Sequence, residues 1–172
     1  MIMKQHLAIL FVLLSFIGCT ATHQTAKDQT SPEKMALGWL SRDDFMHPDY
    51  PRFRENYDST NVNPDFVEMI KAIKPDVEII VVLGTWCGDS KRQVSHFLKI
   101  VDSAGIPSNQ IRYFGVDRSK KSADGVADRH HIDRVPTFIF VHNGAEIGRI
   151  VEAPKTTLEE EMFVILAEAA KR

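Results

Sequence analysis

At 172 residues the chain has room for one domain with a sizeable core, plus tails. An apolar content of 44% and a charged content of 26% are ordinary for a soluble globular protein. A formal charge of −2 with no long basic run leaves a nucleic-acid partner without an electrostatic footprint, and none is expected.

The first element is an apolar stretch, Leu7 to Ile17, behind a short segment whose cation is Lys4. As a helix it would reach about 16 Å, short of the roughly 30 Å of a membrane's hydrocarbon core. This is the layout of a secretory signal, predicted over residues 1–18. Its ending, Phe16-Ile17-Gly18-Cys19, resembles a bacterial lipobox, with Phe16 where an aliphatic residue is usual. The resemblance implies lipidation of Cys19 and anchoring in the bacterial cell envelope, facing the periplasm. Thr20 rather than aspartate follows the cysteine, which favours the outer membrane. A plain secretory signal cleaved nearby and an uncleaved membrane anchor are the alternatives. Besides Cys19 the sequence has only Cys87. Lipid on the first leaves the second as a lone free thiol, with no intramolecular disulfide.

Residues 19–34 carry no large apolar side chain after the cysteine and read as a flexible tether. Residues 35–62 form an aromatic-rich extension, in which Trp39, Phe45, Tyr50, Phe53 and Tyr57 are interleaved with Pro48 and Pro51. Its rings are expected to pack onto the domain; a cap over a binding groove is the sharper alternative. The domain proper is placed at residues 63–172. Asn63-Pro64 starts a helix marked by Phe66, Met69, Ile70 and Ile73, and Lys74-Pro75 stops it. Val77 to Leu83 is a strand buried on both faces. Val94, Phe97, Leu98 and Val101 mark the next helix, which Gly105 ends. Ile111 to Val116 is another buried strand, and Arg118 to His131 holds a loop and a short helix. Thr137 to Val141 and Glu146 to Val151 form a hairpin about His142-Asn143-Gly144. Thr156 with Glu159 has capping-box spacing, opening a closing helix with Leu158, Met162, Ile165, Leu166 and Ala169 on its apolar stripe.

The chemistry is concentrated in Trp86-Cys87-Gly88-Asp89-Ser90, at the junction of the first strand with the helix after it. A thiol there feels the helix's partial positive charge, which favours the thiolate, the nucleophilic form. Asp89 places a like charge beside it and opposes this, while Lys91 and Arg92 assist. Adjacent His130-His131 are not at ligand spacing, and no metal or cofactor is expected. His96 reads as a surface residue. Asp43-Asp44 and Glu159-Glu160-Glu161 read as solvated helix charge.

The element order and three motifs together resemble the thioredoxin family over about residues 63–171. These are Trp86-Cys87-Gly88-Asp89-Ser90-Lys91, Arg134-Val135-Pro136-Thr137, and Asn143-Gly144 in the hairpin; Asp117 closes a strand where that family often has aspartate. The resemblance implies an α/β thioredoxin-like fold, a central mixed sheet flanked by helices. It implies that Val135-Pro136 is cis and faces the cysteine, with Cys87 the catalytic nucleophile. Trp86, Gly88, Asp89, Val135 and Pro136 would then contact substrate. Ser90 occupies the place of the family's second cysteine and would hydrogen-bond the sulfur. Val81 stands where the family has a buried aspartate, and Glu152 replaces a glycine near the groove. The expected activity is thiol–disulfide exchange by one sulfur, released by an external thiol. Expected partners are thiol- or disulfide-containing extracytoplasmic proteins, or small thiols. A binding module without turnover and a peroxide- or sulfenate-handling thiol are the alternatives.

Overall fold

The computed structural model describes residues 24–30, 33–73, 76–121 and 125–171. The expected signal over residues 1–18, Cys19 and the Lys74-Pro75 stop lie outside the described residues. The described strands are β1 (Gln24–Lys27), β2 (Lys34–Leu40), β3 (Glu78–Leu83), β4 (Ile111–Gly115), β5 (Thr137–His142) and β6 (Ala145–Val151). They form one sheet in the order β1-β2-β4-β3-β5-β6. β3 and β4 run parallel, and the other neighbours are antiparallel. The described helices are α1 (Arg42–Phe45), α2 (Pro51–Ser59), α3 (Pro64–Ile73), α4 (Gly88–Ala104), α5 (Val126–Arg129) and α6 (Leu158–Ala169). This is the expected thioredoxin-like α/β architecture.

Strand alternation sorts the core into two layers. Ile79, Val81 and Leu83 of β3 join the larger cluster, with Val94, Phe97 and Leu98 of α4 and Met162 and Leu166 of α6. Ile80 and Val82 join the smaller one, with Phe114, Val126, Ile132 and Val135. Phe97 meets Phe138 of β5 with ring centroids 5.1 Å apart. Full enclosure of a ring of this kind stabilises by about 2–3 kcal/mol. α4 ends at Gly105, whose φ of 70° is the left-handed geometry of a helix cap. Asn143 and Gly144, at φ 51° and 76°, close the β5–β6 hairpin in the two-residue turn their pairing implied.

The N-terminal stretch departs from expectation. Residues 24–27 and 34, placed in the tether, form strand: Gln24↔Leu37 through Lys27↔Lys34 pair β1 with β2. β2 in turn joins β4 through Gly38↔Gly115, Trp39↔Phe114 and Leu40↔Tyr113. Backbone pairing, not side-chain pattern, makes these strands, so a polar run such as Gln24–Lys27 takes part without any hydrophobic signature. The aromatic extension, by contrast, meets its expectation, with rings that pack onto the domain. Phe45 and Phe53 are fully buried, their rings 5.3 Å apart, and Phe45 lies 5.0 Å from Tyr113. The buried Ser95 hydroxyl of α4 donates to Phe53 O at 2.7 Å, fastening α2 against α4. Residues 35–62 therefore belong to the same core as the rest.

The acidic start of α6 is a second correction. Thr157, not Thr156, caps the helix, accepting from the Glu160 N–H at 3.2 Å. Glu159 is not solvated: its side chain is 4% exposed, and its Oε1 lies 2.9 Å from His96 Nε2. The same oxygen accepts from the Asn63 N–H at 3.1 Å, so one carboxylate joins α4, α6 and the entry to α3. The helical position turns both side chains inward, which sequence spacing alone does not distinguish from an outward turn. Burial pushes the Glu159 carboxyl up, but hydrogen bonds from its own N–H, from Asn63 and from His96 outweigh it and hold it below the ordinary glutamate value. A depressed folded value contributes stability above the unfolded one, and that contribution is lost as pH falls through the folded value. Glu159→Gln is therefore expected to cost about 2 kcal/mol near neutral pH. Urea titrations at successively lower pH should show the difference from the parent shrinking once the pH passes below about 4.

Candidate active site

The cysteine is placed by the end of β3 and the start of α4. After Leu83 the chain turns, and the Cys87 N–H donates to Gly84 O at 2.9 Å. Cys87 is the N-cap of α4, with extended φ −85° and ψ 128°, and it is partly exposed. Its Sγ donates to Val135 O at 3.4 Å. The Val135-Pro136 bond is cis, as expected, and Pro136 directly precedes β5. The Glu152 N–H donates to Pro136 O at 2.7 Å, which fixes the loop from its far side. The structure thus brings Cys87, Val135 and Pro136 together from motifs almost fifty positions apart.

Trp86, the residue before Cys87, is held in place from two sides. Its Nε1 donates to Val116 O at 2.9 Å. A Cβ on Gly84 would stand 2.6 Å from the indole, so only glycine leaves the ring its place. Gly88 opens the first turn of α4 and is exposed, with no atom near the position of a Cβ. Val81, where a carboxylate is usual in the resembled family, is fully buried in the core.

The polar neighbours are arranged differently from the sequence expectation. Ser90 makes no hydrogen bond to the sulfur. Its buried Oγ accepts from the Gly84 N–H at 3.1 Å, satisfying an amide that β3 leaves without a strand partner. Its role is to close the turn that presents the cysteine. Lys91 and Arg92 are both engaged elsewhere: Lys91 Nζ lies 2.6 Å from Glu33, and Arg92 is ion-paired with Asp89. The Asp89 charge beside the cysteine is thereby compensated. Glu152, at φ 59°, sits in the left-handed region that favours glycine and pairs with Arg134 at 2.6 Å. It therefore occupies a backbone position shaped for the glycine it replaces.

Two site residues had no sequence signal. Arg118 stands with its Cζ 4.9 Å from the centre of the Trp86 ring. Asp28, from the loop after β1, grips Arg118 through two hydrogen bonds, at 2.9 Å to Nε and 2.7 Å to Nη2. The β1–β2 hairpin also touches the other flank of the motif, where the Ala36 N–H donates to Thr85 Oγ1 at 3.1 Å. Among the described residues no group of three or more His, Cys, Asp or Glu side chains converges as a metal site.

A family model described as Thioredoxin matches residues 43–169 of the chain. The chain is 27% identical over 110 residues to the mitochondrial thioredoxin-3 of Saccharomyces cerevisiae, covering 63% of this chain and 82% of that protein. It is 31% identical over 83 residues to the thioredoxin of Malassezia sympodialis, covering 48% and 75% respectively. Among solved structures, a protein of unknown function from Pseudomonas aeruginosa is similar with a TM-score of 0.46 and 14% identity. That likeness covers 71% of this chain and 80% of the other.

Proposed function

The chain belongs to the thioredoxin family, whose chemistry is thiol–disulfide exchange, and on that premise we propose that it is a one-sulfur oxidoreductase acting through Cys87. The observation that carries this reading is the partly exposed Sγ at the head of α4, 3.4 Å from the carbonyl of the cis-proline loop. In the first step the Cys87 thiolate attacks one sulfur of a substrate disulfide. A Cys87–substrate disulfide forms, the substrate S–S bond breaks, and the other sulfur leaves as a thiolate with the electron pair. Ser90 offers no second sulfur. An external thiol therefore attacks the mixed disulfide, frees Cys87 and carries the substrate sulfur away in a new disulfide. Trp86, Gly88, Asp89, Val135 and Pro136 line the substrate groove in this reading.

On the same reading residues 1–18 export the chain and lipid on Cys19 anchors it to the outer membrane, facing the periplasm. The eleven-position apolar stretch and the Phe16-Ile17-Gly18-Cys19 ending support this. The partners are then extracytoplasmic thiol or disulfide proteins, or small thiols. The test is capture in intact cells: acid quenching, alkylation of free thiols, and mass spectrometry of whatever is disulfide-linked to Cys87. Reducible adducts on Cys87 are expected, and uniform alkylation of Cys87 with no adduct would count against turnover. Incorporation of labelled fatty acid in the parent and its absence in Cys19→Ser tests the anchor.

A further inference from the structure

The cation beside the cysteine comes from outside the thiol motif. The Asp28 side chain is 0% exposed, and its carboxylate takes four donors. These are Arg118 Nε and Nη2, the Thr30 N–H at 2.9 Å and the Thr30 hydroxyl at 2.9 Å. The Arg118 grip, with Thr30, holds the Asp28 carboxyl well below the usual carboxylate range. The Arg118 side chain at the other end of the pair is 43% exposed. It lies over the Trp86 ring and close enough to Cys87 for the two to interact electrostatically. The negative end of this pair is enclosed and the positive end is open, so from the groove it presents a cation. Three acidic groups near the motif carry a counter-ion, Asp89 with Arg92, Glu33 with Lys91 and Glu152 with Arg134, while Asp117 accepts from the Ser119 hydroxyl at 2.6 Å.

We propose that Arg118 is the specificity-determining residue of the thiol site, selecting disulfides that carry a carboxylate or another anionic group beside the reacting sulfur. The proposal rests on the thiol–disulfide reading of Cys87. The anionic group meets the open edge of the guanidinium as the near sulfur reaches Cys87. The Cys87 sulfur bonds to it, the substrate S–S bond breaks, and the departing thiolate takes the electron pair. A planar, permanently charged group fixed at the groove wall suits this better than a mobile ammonium.

The experiment uses the full chain carrying Cys19→Ser, so that Cys87 is the reacting thiol. Second-order rates are measured with dithiobis(nitrobenzoate), which is anionic, and with dithiodipyridine, which is neutral. In Arg118→Gln the ratio of the anionic to the neutral rate is expected to fall about tenfold, a ratio that cancels any change in Cys87 reactivity common to both reagents. Arg118→Lys, which keeps the charge, should hold the ratio of the two rates within about threefold of the parent. The double variant Asp28→Asn with Arg118→Gln leaves no unpaired carboxylate and should show the same tenfold fall in ratio. Raising salt should shrink the difference in this ratio between the parent and the double variant. An unchanged ratio in the double variant overturns the proposal. A parent unreactive toward both reagents overturns instead the reading of Cys87 on which it rests.

Discussion

Replacing Cys87 by serine is expected to abolish disulfide exchange while leaving the fold at least as stable as the parent. The two halves of this expectation have separate causes. The chemistry requires a sulfur that can form and break an S–S bond; a hydroxyl in its place cannot form the mixed disulfide, and Cys87 is the one free cysteine among the described residues. Exchange with an alkyl disulfide should drop by about a thousandfold or more, to the background of the solution reaction. Stability responds differently because Cys87 is the N-cap of α4 and makes no side-chain cap bond there. Serine is among the preferred N-caps, so the variant should match the parent or gain about 0.5–1 kcal/mol. The thiol's 3.4 Å bond to Val135 O is weak and can be replaced by the hydroxyl's own. Measuring the exchange rate and the urea midpoint on the same preparation separates the two. Persisting exchange in Cys87→Ser would remove the basis of the proposed mechanism.

Gly115→Val is expected to cause the largest loss of stability, about 3 kcal/mol or more, by driving β2 away from β4. A Cβ on Gly115 would stand 2.2 Å from Ala36 O and 2.9 Å from the Ala36 carbonyl carbon. Those are backbone atoms, which cannot swing aside as the end of a long side chain can. The variant must give up the Gly38↔Gly115, Trp39↔Phe114 and Leu40↔Tyr113 pairings, together with the Ala36 N–H bond to Thr85. Exposure of the buried Ala36 and Leu40 adds to the cost. The signature beyond the lowered midpoint is local. Amide exchange should accelerate across residues 24–40, ahead of β3 and β5 at the other side of the sheet. Unaltered exchange in that hairpin, with stability near the parent's, would show that β2 is not held as described.

How far each feature could be read from the chain depends on how many residues carry its signal. β3 was legible because five consecutive apolar residues, Ile79 to Leu83, mean a strand covered on both sides. α4 was legible because Val94, Phe97, Leu98 and Val101 recur at helical spacing and Gly105 ends them. The approach of Val135-Pro136 to Cys87 was legible only through resemblance, since no periodicity links the two motifs. β1 and β2 were not legible: Gln24–Lys27 is polar, and Gly38 interrupts the alternation of Lys34–Leu40. Ser90 was identified as a site residue, but its partner was not, because a hydroxyl in the first turn of a helix can face either the sulfur or the strand end. The Gly84 N–H decides that, being buried and otherwise without a strand partner.

The sequence by itself determined the order of elements from α3 to α6, the sulfur at a strand-to-helix junction and the presence of the Val135-Pro136 motif. Each is encoded locally, in runs and motifs whose backbone consequences extend over only a few positions. The tertiary structure alone decided which charges are paired and where they point. Asp28 and Arg118, ninety positions apart, and His96 and Glu159, sixty-three apart, look in the chain like any solvated polar residues. Only folding encloses the two carboxylates, and enclosure obliges each to find its donors.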